Sequence, residues 1–169
     1  MKKSTTNNLE RMIQLADEIF AVRSDPSQLS VNGTVMRRLQ HIHPATITQQ
    51  STRNGPIAWV LVIPTTRKFM EQFIAKKINE RELYKNIPLH VKYDAVYLCS
   101  ALVLPEYRRK GLAKRLMIRA IKSILKEHPI QSLFYWGFST EGKKLSSTVA
   151  RALSLPLYGR ASIKRQRMK

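Results

Sequence analysis

The segment that most narrows what this chain can become runs from Ala95 to Lys126. A nearly continuous apolar stretch, residues 95–104, passes through Pro105-Glu106-Tyr107-Arg108-Arg109-Lys110-Gly111 into an amphipathic pattern over residues 112–126. The first reads as a buried strand, the second as a helix with apolar positions three and four apart. Ala113, Leu116, Met117, Ala120, Ile121 and Ile124 share one helical face, and Arg115, Arg119, Lys122 and Lys126 form the opposite stripe. The apolar set reads as core; the basic stripe reads as a solvated face or a nucleic-acid surface. A strand that turns through a short basic loop into a helix start builds an anion site. The first backbone N–H groups of a helix have no partner within it, and the helix dipole adds partial positive charge. A phosphate or pyrophosphate fits there. Gly111 and Ala113 leave room for close approach, and Arg108, Arg109, Lys110 and Lys114 supply full charge.

The loop is neither a Walker loop, since Gly-x-x-x-x-Gly-Lys-Ser/Thr is absent, nor the dinucleotide pattern Gly-x-Gly-x-x-Gly. The order Val103-x-Pro105-x-x-Arg108-x-x-Gly111-x-Ala113 resembles the cofactor loop of the GNAT acyltransferase superfamily. The resemblance implies that Arg108, Gly111 and Ala113, with Arg109, Lys110, Leu112 and Lys114 around them, hold the pyrophosphate of acetyl-CoA or another acyl-CoA. It also implies that the preceding strand lies beside the pantetheine arm. A backbone N–H near Leu102, Val103 or Leu104 would bond the thioester carbonyl, as the family's bulged strand does. The fold implied is α/β (α+β): one GNAT-like domain over 1–169, a mixed, mostly antiparallel central sheet flanked by helices. The activity implied is N-acyl transfer to an amine on a small molecule or a protein.

The rest of the chain fits that order. Residues 9–20 read as a helix with Leu9, Met12, Ile13, Ala16, Ile19 and Phe20 inward, and residues 33–42 as a second helix ending before Pro44. Residues 45–51 and 56–64 read as a hairpin around Asn54-Gly55. Its second strand is apolar on both faces, which predicts a central position. A helical stretch over 66–85 follows, then the 95–104 strand, the 112–126 helix, a strand over 132–138, a helix over 141–153 and a strand opening at Leu155. The resemblance covers about residues 9–160. Two departures stand out. The family joins the hairpin to the loop strand by a short turn, whereas here residues 65–94 intervene, an insertion expected to form a lid or substrate wall. Many members also carry an Asn after the fifth strand and a Tyr on the next helix; residues 139–148 contain neither.

Acyl transfer needs a polarised carbonyl, a proton acceptor for the amine and a donor for the leaving thiolate. Asp94, Glu106 and the more remote Glu141 are the carboxylates within reach in sequence. Tyr158 is the catalytic candidate for protonating the thiolate, or else an edge-strand packing residue, with Tyr97 as another choice. Cys99 reads as a buried, inert thiol. His41 and His43 lack the partners of a zinc site, so no metal is expected.

The net charge of +19 is unevenly spread. Residues 1–85 carry 13 basic and 7 acidic side chains, and residues 86–169 carry 17 and 4. The half with the phosphate loop is the electropositive one, a field that steers anionic ligands. The same shortage of carboxylates disfavours a polycationic acceptor. An acyl-CoA site needs few cations, so the surplus, plainest in the tail 160–169, suits a second polyanion such as nucleic acid, ribosome or anionic lipid. It equally suits a solvated tail or a generally basic proteome. That binding, without strong catalysis, is the alternative function. A lone Cys99 excludes an internal disulfide, no signal-peptide or membrane-length apolar run appears, and a cytoplasmic protein is the expectation. Oligomeric state is left open, a homodimer included.

Overall fold

The longest apolar run in the chain becomes its longest strand. In the computed structural model, which describes residues 7–22, 29, 33–137 and 139–161, β2 (Gly55–Thr65) is buried along nearly its whole length. It pairs antiparallel with β1 (Ile47–Thr52) on one side and with β3 (Ala95–Val103) on the other. Beyond β3, β4 (Ser132–Trp136) and β5 (Leu157–Arg160) add in parallel, giving the order β1-β2-β3-β4-β5. The two antiparallel ladders are the long ones, so the mixed sheet is mostly antiparallel by length, as expected.

Parallel neighbours require crossovers, and helices supply them. α5 (Leu112–Leu125) joins β3 to β4, and α6 (Thr140–Leu153) joins β4 to β5. In α5 the buried residues are Leu116, Met117, Ala120, Ile121 and Ile124, the face read from the spacing, and the basic stripe is exposed. Ser139 caps α6 by accepting the Gly142 N–H at 3.0 Å.

α1 (Asn8–Val22) and α2 (Gly33–Ile42) precede the sheet. In α1 the inward stripe is narrower than expected. Met12 is fully buried and packs with Leu15 and Ala16 over Ile57, Leu102 and Leu104, while Leu9 and Ile13 are exposed. The helix rests on the sheet along one line, and Leu9 and Ile13 fall to its side. The side chains of Ile19 and Phe20, and Phe138, lie outside what is described. His43 follows α2 as a buried cap, its Nδ1 accepting the Ala45 N–H at 3.0 Å.

The insertion departs further from expectation. Instead of one helix it forms α3 (Arg67–Ile74) and α4 (Glu80–Lys85). Lys76, at φ +60°, breaks the first, and Asn79 opens the second with a capping box. Asn79 accepts the Glu82 N–H at 2.8 Å while Glu82 accepts the Asn79 N–H at 3.2 Å. Met70, Phe73, Leu83, Tyr84, Ile87 and Tyr93 are buried in the main core. The insertion is thus built into the core rather than laid over it as a lid. The tail expectation is corrected at its first residue. Arg160 closes β5, donates from Nη1 to the carbonyls of Phe73 (3.1 Å) and Ile78 (2.6 Å), and lies over the Phe73 and Trp136 rings. Residues 162–169 lie outside the described residues.

Candidate active site

β3 and β4 pair from Ala95↔Ser132 to Leu98↔Tyr135 and then part. β3 runs on to Val103, still paired with β2. At the parting point the β2–β3 register slips between Leu61 and Val62, so that Cys99 is the extra residue of a bulge between Leu98 and Ser100. The bulge therefore lies at Cys99, upstream of the Leu102–Leu104 stretch where the resemblance put it.

The parted strands open a cavity of about 720 Å³. Leu98 to Val103 line one wall, Tyr135 and Trp136 the other, and Leu15 of α1 also borders it. The start of α6 closes one side with Ser139, Glu141 and Ser146. The loop stands at the head: Arg108, Arg109, Gly111, Leu112, Ala113 and Lys114 all border the cavity. Gly111 is the N-cap of α5 at φ +71°, and no side chain caps that helix start. The left-handed turn aims the first N–H groups of α5 past the glycine, where no Cβ intrudes. Arg108 braces the loop, its Nε donating to the Val103 carbonyl at 3.0 Å. Charge at this end is strongly positive, and Glu141 is the carboxylate among the lining residues.

Of the residues picked from sequence, Leu102, Val103, Arg108, Arg109, Gly111, Leu112, Ala113 and Lys114 come together on this cavity. Three do not. Leu104 is buried beneath Met12, with its N–H committed to the Ile57 carbonyl at 2.9 Å. Lys110 turns away to lie 5.6 Å over the Tyr107 ring and borders a neighbouring groove. Tyr158 pairs with Phe134 on β5 and is 44% exposed, outside the cavity lining.

Two of the three proposed proton acceptors, Asp94 and Glu106, have other partners. Asp94 accepts the Arg67 N–H at 2.6 Å and fixes the start of α3. Glu106 forms a two-point ion pair with Arg11 of α1, at 2.5 and 2.7 Å. Hydrogen bonding from Arg11 holds the Glu106 carboxyl down at about 2. Tyr97 is buried and donates to Glu80 Oε2 at 2.6 Å; burial first, and the Glu80 charge second, push its phenol well above the ordinary range. Glu80 itself was not picked from sequence. α4 delivers this buried carboxylate to within 4.0 Å of Cys99 Sγ at the bulge, and its other oxygen accepts the Leu29 N–H at 2.7 Å. Cys99 is half-buried and borders the cavity rather than being sealed in the core.

Sequence reasoning also passed over Tyr135. Its side chain crosses β5 at Gly159, where an added Cβ would come within 3.0–3.1 Å of the hydroxyl oxygen and two ring carbons. The strand was legible, but its last paired residue depends on register, which no local signal carries. Among the described residues, no group of three or more His, Cys, Asp or Glu could hold a metal, and no helix is long and apolar enough to cross a membrane.

β3 passes through the basic, glycine-containing loop into the start of α5, and its parting from β4 adds a cavity to that arrangement. Residues 40–143 match the Acetyltransferase (GNAT) family, well over half of the chain. The chain belongs to the GNAT acetyltransferase family. No curated protein is matched by the sequence. Similar solved structures include an aminoglycoside acetyltransferase, meta-AAC0020, from an uncultured soil metagenomic sample in complex with trehalose. It is 10% identical with a TM-score of 0.48, covering 86% of this chain and 78% of that one. Naa20 of Chaetomium thermophilum with a bisubstrate analogue is 12% identical (TM-score 0.41, 70% and 53%). A ribosomal-protein-alanine N-acetyltransferase from Brucella melitensis biovar Abortus 2308 is 12% identical (TM-score 0.41, 82% and 85%).

Proposed function

We propose that this protein transfers an acyl group, acetyl in the simplest case, from acyl-CoA to an amine. The observation that carries the reading is the continuity of the cavity. It runs from the bulge at Cys99 to an uncapped, positively charged start of α5. A long ligand with an anionic end matches both ends at once. Acyl-CoA brings the acyl group as a thioester and the pyrophosphate as the anionic end.

The chain's own residues then have distinct tasks. The N–H groups that open α5, with Arg108, Arg109 and Lys114, bind the pyrophosphate. The edge of β3 freed from β4 aligns the pantetheine arm, because its backbone groups from Cys99 onward lack β4 partners in the ladder. The bulge at Cys99 offers a backbone N–H to the thioester carbonyl, a donor fixed before the reaction starts. Tyr135, at the last β3–β4 pair, is the phenol we assign to protonating the leaving thiolate, in place of Tyr158. The basic lining suits a neutral or anionic amine over a polycation.

Calorimetric titration with acetyl-CoA in moderate salt, beside inorganic pyrophosphate and ATP, tests the reading. Selective binding of acetyl-CoA, with a Kd on the order of micromolar (about −8 kcal/mol), is expected. The double variant Arg108→Glu, Gly111→Asp should abolish it. Equal binding of ATP and acetyl-CoA would reduce the loop to a generic basic turn.

A further inference from the structure

The exposed face of α5 carries a charge that the cavity does not use. Arg115, Arg119, Lys122 and Lys126 recur at steps of four, three and four residues, and all four are exposed. Residues so spaced lie along one side of a helix. The ridge spans about 16 Å at the usual 1.5 Å rise per residue. Lys110 extends it at the loop end, where Arg115 Nη1 donates to the Lys110 carbonyl at 2.8 Å. Two shallow grooves border the ridge. The polar lining of one is Gln50, Tyr107, Lys110, Arg115 and Arg119, over a floor of Ile57, Leu112 and Leu116; that of the other is Arg115, Arg119, Lys122, Ser123 and Lys126, beside Ile118. They share Arg115 and Arg119 and so form one trough, with no carboxylate in its lining. Among the described residues, the ion pairs engage other side chains and leave Arg119, Lys122 and Lys126 without a carboxylate partner. Like charges at this spacing destabilise a helix, so the ridge works against the fold rather than for it.

We propose that this trough docks the phosphate backbone of a nucleic acid, independently of base sequence. A nucleic-acid strand repeats its negative charge about every 3.4 Å, so a ridge of this length meets several phosphates together. Two other polyanionic partners fit less well. A lipid surface binds an amphipathic helix through its apolar face, but in α5 that face is buried in the core. A protein interface is anchored by aromatic or apolar side chains that a partner can bury in its centre; here Ile57 and Leu116 are buried and Tyr107, Leu112 and Ile118 are half-buried, so little apolar surface projects beside the exposed charges. Point charges repeated along an exposed ridge match the repeating phosphates, so the contact is with the backbone. Tyr107 and Leu112 border both the trough and the cavity. Arg119, Lys122 and Lys126 border the trough alone, so they probe this surface without touching the cavity.

Fluorescence anisotropy with a labelled RNA duplex of about 20 base pairs tests the proposal, at salt between about 50 and about 200 mM. The wild-type protein should bind at about 10⁻⁶–10⁻⁴ M, with affinity falling steeply as salt rises. The triple variant Arg119→Gln, Lys122→Gln, Lys126→Gln should lose about tenfold or more at low salt, with a log–log salt slope shallower by roughly two to three. Its melting temperature and acetyl-CoA titration should match wild type; an intact acetyl-CoA titration beside a lost RNA signal separates this surface from the acyl site. The single change Lys122→Glu repeats the test with a smaller perturbation. Equal RNA affinity and slope for the triple variant and wild type would overturn the proposal. So would a loss confined to anionic phospholipid vesicles, with RNA binding unchanged.

Discussion

Two tyrosines separate a residue that borders the cavity from one that only shares its sheet. Tyr135 borders the cavity where β3 and β4 part, whereas Tyr158 stands on the next strand with 44% of its surface exposed. Replacing Tyr135 by Phe keeps the ring over Gly159 and removes only the hydroxyl. General acids contribute typically about 10²–10⁴-fold, so Tyr135→Phe should lower kcat by about tenfold to a hundredfold, given that water can partly substitute. KM for acetyl-CoA should hardly move, because the phenol is assigned no role in binding it. Tyr158→Phe should leave both constants within about twofold, as surface changes away from special features do. Steady-state kinetics on the two variants decides between them, and an equal effect from both would dismiss the assignment of Tyr135. Gly111 makes a second point at this scale. The sequence offered it as a small residue for close approach, which is half of its role. Its φ of +71°, together with the 3.3 Å that would separate an added Cβ from Arg115 Nη1, makes the turn itself depend on glycine. Gly111→Ala should cost about 1–2 kcal/mol of strain in a left-handed position, read as a lower melting temperature and weaker acetyl-CoA binding together.

Elements are held to the loop by one ion pair. Arg11 on α1 and Glu106 in the loop bond at two points, so a helix that supplies Leu15 to the cavity is tethered to the segment that heads it. The sequence offered Glu106 as a proton acceptor and not as half of an ion pair, since nothing local couples positions 95 residues apart. The folded carboxyl titrates near 2, below its ordinary 4.5, because Arg11 hydrogen-bonds its charged form. A depressed carboxylate stabilises the fold fully above its unfolded value. That stabilisation fades as pH falls through the interval from about 4.5 to about 2. Both side chains are largely solvated, so the effect should be small and weakened by salt. Thermal melts of wild type and Glu106→Gln from pH 7 downward should therefore show a modest gap that is constant above about pH 5 and closes on the acid side. A gap that widened toward acid would contradict the pairing.

At the scale of the whole molecule, what was legible followed from local pattern. The strands at 56–64 and 95–104 were readable as continuous apolar runs, the helix at 112–126 from its period, and the loop between them from its motif. Even the break that splits the insertion was written as Asn79-x-x-Glu82, a capping box passed over inside a helical-looking stretch. Register was not readable. The bulge at Cys99, the parting after Leu98↔Tyr135 and the delivery of Glu80 all depend on contacts between distant segments. The insertion shows how far that matters. Phe73 is fully buried, its ring 5.1 Å from Tyr97, 5.8 Å from Phe134 and 6.0 Å from Trp136. The Arg160 guanidinium lies 4.6 Å over the same ring. One side chain of the insertion thus joins β3, β4 and β5 on one face of the sheet. Phe73→Ala should cost about 3–5 kcal/mol, a large share of a domain stability of about 5–15 kcal/mol. Urea unfolding should show the midpoint fall with little change in slope. Leu89, 43% exposed in the same insertion, gives the contrast: Leu89→Ala should stay within about 0.5 kcal/mol. Were the insertion a lid resting on a finished core, both substitutions would be mild and only catalysis would respond. A large loss for Phe73 beside a negligible one for Leu89 would make the insertion a structural part of the sheet that carries the site.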